Sequence, residues 1–305
     1  MSYKSNTSNE LAASTTDLMQ VPVGAYVGDV IIRDRYDLLY YNLVTSITGD
    51  LLLKSANCDV VLPNLTSISG TLSTWYGLHN AGMEVLSLPS LVSVDSIQMS
   101  GNELPDLVSL DLPALTDVAT DIYVYGCPSL TTINLPALET TGRLYLGYGN
   151  NTDDPNPMLA TLTLTALESA TVVYFNGNSN LTTLSLPALL TTGTLWVEDA
   201  AHLVTISAPL WGSGATLFVT DSSQLTQVLF PALETLSIGL WIGGNESFTA
   251  TSLGLAALTS AVETLYIVLN RKTGSGLTDT VGNALLAQLT VPPTVQATVQ
   301  NNDPL

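Results

Sequence analysis

The sequence predicts an all-β fold, a right-handed parallel β-solenoid of about 9–10 coils with a short C-terminal capping helix. Three observations lead there: a tandem repeat, a proline fixed at one place in it, and an aromatic residue fixed at another. The unit reads L-x-x-L-x-L-P-A-L, four to six variable residues, L-x-V, and then a Gly/Asn/Asp turn. Good copies begin at Leu107, Leu130, Leu181 and Leu225. The prolines are Pro63, Pro89, Pro113, Pro136, Pro187, Pro209 and Pro231, 22–26 residues apart where no copy is skipped. In the copy from Leu159 the proline is replaced by Thr165, and the insert NNTDDPNP precedes it.

Each coil offers two strands. The first, such as TINL or TLSL, alternates apolar-in and polar-out. The proline after it removes a ladder donor and marks a corner. The second strand is an aromatic triplet: IYV, LYL, VYF, LWV, LFV, LWI and LYI, centred on Tyr123, Tyr145, Tyr174, Trp196, Phe218, Trp241 and Tyr266. In a strand the flankers of each triplet share one face and the middle residue takes the other. With the flankers in the core, seven rings stand outside, one per coil. Earlier coils carry Leu52, Ser73 and Gln98 at that position. Gly142, Gly193, Gly243 and Gly244 are expected in tight turns. No coil buries its leucines alone, so stacked coils share one core.

The ends are expected to differ from the body. Residues 1–28 read as a flexible leader and N-terminal cap, 29–272 as the coils, and 273–305 as a C-terminal cap and tail. The cap helix is placed at GNALLAQL, before Pro292–Pro293, with a last strand near 295–299.

Composition limits the functions. The chain has 305 residues, 46% of them hydrophobic and only 11% charged, so Ser, Thr, Asn and Gly must cover the surface. Its net charge is −19, and Arg143 is the only Lys or Arg between Lys54 and Arg271. A phosphate backbone would be repelled along the whole body, which argues against nucleic acid and anionic membrane. Strong acidity suits cationic partners or Ca²⁺. No transmembrane run of 18 apolar residues occurs, and the start MSYKSNTSNELAAS has no signal-peptide core. Cys58 and Cys127 lie about three coils, roughly 14 Å, apart and are read as free thiols.

Three candidate sites follow. The ring row Tyr123, Tyr145, Tyr174, Trp196, Phe218, Trp241 and Tyr266 suits a platform for a glycan or an apolar protein surface. The same row is equally accounted for by cross-strand stabilisation of about 0.2–1 kcal/mol per pair, or by cover from a second subunit. The other strand presents Thr132/Asn134, Thr161/Thr163, Thr183/Ser185 and Thr205/Ser207, a Thr/Ser array on a flat sheet of the kind that orders ice-like water. Thr is also simply a good strand former. The insert holding Asp153 and Asp154 is a weak Ca²⁺ candidate without proper ligand spacing. Catalysis finds little support, because His79 and His202 lie far apart in the repeat and neither has an evident carboxylate partner.

Segments such as INLPALETTGRLYL and LSLPALLTTGTLWV, with the ALLAQL end, resemble receptor L-domain-type leucine-rich repeats. Such repeats occur in receptor ectodomains, fungal cell-wall proteins and secreted bacterial proteins, and the likeness covers about residues 30–300. It implies a non-enzymatic binding or adhesion module without cofactors, at the cell surface or outside the cell. The partner would be a glycan or a surface protein. A structural or envelope protein that self-associates through the aromatic face is the alternative. The family's signal peptide, disulfide-rich caps and GPI tail have no counterpart in these residues.

Overall fold

The computed structural model describes residues 21–268 and 296–300, apart from 55, 75–79, 101–103, 148–155, 246, 248–252, 256, 259 and 262–263. Within them the chain is a parallel β-solenoid of about nine turns. One 15-stranded sheet runs its whole length. Its repeating members include Asp117–Tyr125, Thr140–Leu146, Ser169–Asn176, Thr191–Glu198, Ser213–Thr220 and Thr235–Gly243, each parallel to the next. The short strands of the repeat form two further sheets on the other side of the coils.

The repeat explains each corner. In L-P-A-L the second leucine N–H donates to the carbonyl of the first, as Leu138 does to Leu135 (3.3 Å) and Leu115 to Leu112 (3.2 Å). Proline supplies the turn's second residue, where its fixed φ fits and no donor is needed. Two of the four glycines expected in turns, Gly142 and Gly193, lie instead inside the long strands Thr140–Leu146 and Thr191–Glu198. A Cβ on Gly193 would meet the carbonyl oxygen of Thr171 at 2.6 Å, and one on Gly142 would collide with that of Thr120. Close approach of successive coils, not a turn, selects glycine at these two sites. Gly243 also ends a strand, and only Gly244 of the four has positive φ (+64°).

Leucine, isoleucine and valine from every coil fill one continuous core. Burying each such side chain contributes about 1.5–3 kcal/mol. The sequence reading missed two features of the fold. One is a short helix, Arg35–Tyr41, N-capped by Asp34, whose side chain accepts from the N–H groups of Tyr36 and Asp37. The other is a set of buried asparagines at the corner after the long strand, among them Asn156, Asn178 and Asn245. Asn156 Oδ1 accepts from Cys127 N (3.0 Å), and its Nδ2 donates to Val124 O (2.9 Å). Asn245 serves Ser222 N and Val219 O in the same way.

At the ends, Gly24–Val27 already belongs to the long sheet, inside the segment read as leader and cap. Gln296–Gln300 pairs with Thr264–Val268 close to the expected last strand. The cap helix placed at GNALLAQL lies outside the described residues. Cys58 is half-buried and Cys127 is buried, and neither forms a disulfide. No described helix is long and apolar enough to cross a membrane.

Candidate functional site

The aromatic triplets sit at one register position of the long sheet. Tyr123, Tyr145, Tyr174, Trp196, Phe218, Trp241 and Tyr266 pair in that order, and Leu52, Ser73 and Gln98 occupy the same row before them. Their flankers, from Ile122 and Val124 to Leu240 and Ile242, are buried. The first six rings are half-buried on the outer side; of Tyr266 only the backbone is described.

Successive ring centroids are 4.9, 5.2, 5.7, 3.8 and 6.4 Å apart, with interplanar angles of 17–38°. Carbon atoms in contact are about 3.5–4.0 Å apart, so another ring cannot enter between any pair. Most centroid distances exceed that contact distance. The rings therefore overlap with an offset, and each leaves an edge and part of a face to solvent.

Polar groups flank the row. Arg143 Nε donates to Asp121 Oδ1 (2.8 Å), its Nη2 contacts Asp121 Oδ2, and its guanidinium carbon lies 5.6 Å from the Tyr123 ring centroid. Further along, Trp196 Nε1 donates to Glu198 Oε2 (3.0 Å), and Asn176 Nδ2 donates to Glu198 Oε2 (3.4 Å) and to the Tyr174 hydroxyl (3.1 Å). Asn176 and Arg143 were not singled out as site residues from the sequence. The signal was available, since each lies two residues from a ladder aromatic and so on the same face.

The residue after each of these strands adopts left-handed backbone. Glycine fills the position at Gly126, Gly147, Gly177 and Gly244, but Asp199 (φ 54°) and Asp221 (φ 53°) fill it in two adjacent coils. Burial, and then the neighbouring Asp221, raises the Asp199 carboxyl above its ordinary pKa. An acid with a raised folded-state pKa resists ionisation. Its destabilisation is present above that pKa and is relieved as pH falls through it. Asp199→Gly and Asp221→Gly are each expected to stabilise the fold by roughly 0.5–1 kcal/mol. Urea denaturation checks this, and a lower midpoint would refute it. The advantage of Asp199→Gly should also shrink as pH drops through the carboxylate range.

The Thr/Ser array is not one flat sheet. Thr132–Asn134 pairs with Thr161–Thr163, and Thr183–Ser185 with Thr205–Ser207, but the two pairs belong to separate sheets. The corner residues Leu112, Leu135, Leu186 and Ala208 each donate to the short strand of the next coil, and Leu164 makes no such bond. Its corner has Thr165 in place of proline, and Thr165 Oγ1 donates back to Pro136 O (2.9 Å) across the long coil that holds the insert. Leu162 is half-buried where Ile133 and Leu184 are buried. Asn134 is occupied as well, donating to Asp111 Oδ1 (2.7 Å). Asp153 and Asp154 lie outside the described residues. Among the described residues no group of three His, Cys, Asp or Glu side chains is placed to hold a metal.

No family model and no curated protein matches the chain. Among solved structures, it is similar at 12% identity to one titled "Crystal structure of TLR13-ssRNA13 complex". The match covers 89% of this chain and 62% of that chain, less than two thirds of it, with a TM-score of 0.15. A likeness at that level carries no argument about function.

Proposed function

We propose that the chain is a non-enzymatic binding and adhesion module that engages its partner along the aromatic face. One observation carries the reading: six half-buried rings in continuous register on an outer sheet face, with hydrogen-bonded Asn176 and Glu198 beside them. Cross-strand stacking accounts for the rings touching one another. It does not require Trp196 and Trp241, residues that supply both apolar area and a polar tip at interfaces.

The overlap of the rings favours a protein surface over a glycan. A sugar stacks on a whole aromatic face, and here each face is partly covered by the next ring. A polypeptide surface instead meets a row of edges and partial faces. Placement at the cell surface or outside the cell belongs to the same proposal and rests on the resemblance of the repeat.

Capture on protein and glycan arrays tests it, with Trp196→Ala and Trp241→Ala in parallel. Each substitution should weaken a specific capture by roughly tenfold or more while leaving the circular dichroism spectrum unchanged. Capture unaffected by either substitution would refute the reading. A concentration-dependent dimer that dissociates in the same variants would support the self-associating structural protein in its place.

A further inference from the structure

The charges around the rings narrow the partner's chemistry, an inference that rests on the binding reading above. Arg143 shows how this face treats a cation. The only Lys or Arg between Lys54 and Arg271 lies on the aromatic face, held by Asp121 and resting against the Tyr123 ring. A planar guanidinium with a carboxylate beside it and aromatic carbon beneath it gains from both contacts.

Two coils beyond Arg143 a carboxylate again lies beside the rings, here on the opposite flank of the row: Asp121 is two residues before Tyr123, and Glu198 is two residues after Trp196. Tyr174 and Trp196 are 5.7 Å apart and tilted by 35°, a wider step than Trp196 to Phe218 at 3.8 Å. Asn176 and Glu198 line that step, and the carboxylate is anchored by the indole N–H. Asp199 and Asp221 follow at the ends of the adjoining strands. The residues in register with Arg143 are here Val172 and Thr194, and positions 144–270 contain no Lys or Arg. Among the described residues no Lys or Arg lies at this step.

We propose that this part of the aromatic face docks a polypeptide segment bearing arginine, with a guanidinium lying across the outer edges of Tyr174 and Trp196 against Glu198. The net charge of −19 attracts such a segment from a distance, and the carboxylate beside the ring step fixes where it stops.

The test is a fluorescence titration of the full chain, at about 0.15 M salt, with a synthetic peptide alternating arginine with glycine and serine. A matched peptide carries citrulline in place of arginine, which keeps the shape and removes the charge. Saturable quenching of tryptophan emission is expected with the arginine peptide, and binding about tenfold weaker or less with citrulline. Glu198→Gln should weaken arginine binding by a similar factor. Thr194→Arg, which supplies an internal guanidinium as Arg143 does, should abolish it. The double variant Glu139→Gln/Glu168→Gln removes two exposed acids from the far ends of the long strands and should bind like the parent chain. Equal losses in Glu198→Gln and in that control would mean diffuse attraction to an acidic protein and would overturn the proposal, as would the absence of saturable binding. If the peptide fails while Trp196→Ala still abolishes capture on an array, this inference falls and the binding reading stands. If the arrays are silent too, both fall.

Discussion

Trp211→Ala is expected to lower the unfolding free energy by about 3–5 kcal/mol, among the largest losses from any single substitution in this chain. Trp211 stands where other copies place the last leucine of L-P-A-L, and it is fully buried. Three neighbours make room for it. Ala208 replaces the leucine that starts the turn, and Gly214 has no side chain where the neighbouring coil has Thr192. Phe230 meets the indole edge-on at 5.2 Å. A Cβ on Gly214 would lie 2.6 Å from indole Cζ2, so the glycine and the tryptophan fit only together. The indole N–H donates to Ser213 O (2.7 Å), which gives the ring's polar atom a partner. Trp211→Leu restores the consensus residue and should still destabilise, because the space left by Ala208 and Gly214 stays unfilled. The measurement is the urea midpoint at unchanged m-value. A loss below about 1 kcal/mol for Trp211→Ala would mean that the neighbours collapse into the space and that the packing is not specific.

Asn156→Leu should cost about 2–5 kcal/mol, although leucine is larger and more apolar and Asn156 is fully buried. Its amide serves two main-chain groups of the preceding coil, Cys127 N and Val124 O, at a corner where the strand ladder has ended. Leucine takes the acceptor from Cys127 N, at about 1–3 kcal/mol, and one of the two donors from Val124 O, which keeps Gly147 N (2.9 Å). Forcing its larger side chain into a filled site costs about 1–3 kcal/mol more. Asn156→Asp keeps the acceptor and loses the donor, so it should fall between the two. Urea midpoints of the three proteins decide the matter. Leu at or above the parent would show that the corner's main-chain groups find other partners.

These two sites also show what the repeat pattern could and could not convey. Its period reports which residues share a row, so the register of Tyr123 through Tyr266, the buried flankers and the proline corners could all be derived by aligning the chain with itself. Departures from the period were harder to interpret. Trp211 could be seen to replace a leucine, but the compensation from Gly214 depends on a contact of 2.6 Å that no spacing encodes. Asn156 was read with the insert, as part of a solvated loop or a weak Ca²⁺ site, because Asn suits exposed loops as well as buried corners. The helix Arg35–Tyr41 was missed since it occurs once, before the repeat is established, and seven residues give little periodic signal. For the candidate site, the row of rings was legible and their mutual cover was not. Overlap depends on ring tilt, which the sequence leaves open.

The gap between the strands Thr161–Thr163 and Thr183–Ser185 reaches beyond the Thr/Ser array. In a linear array of coils, cooperativity passes from neighbour to neighbour through each shared interface. Here one interface lacks the hydrogen-bonded ladder on one of its walls and is joined there mainly by the core and the long sheet. The molecule is therefore expected to unfold as two cooperative blocks in series, coupled across this junction through the core and the long sheet. That junction falls between Tyr145 and Trp196, so the aromatic row crosses it and ties the blocks together along one side.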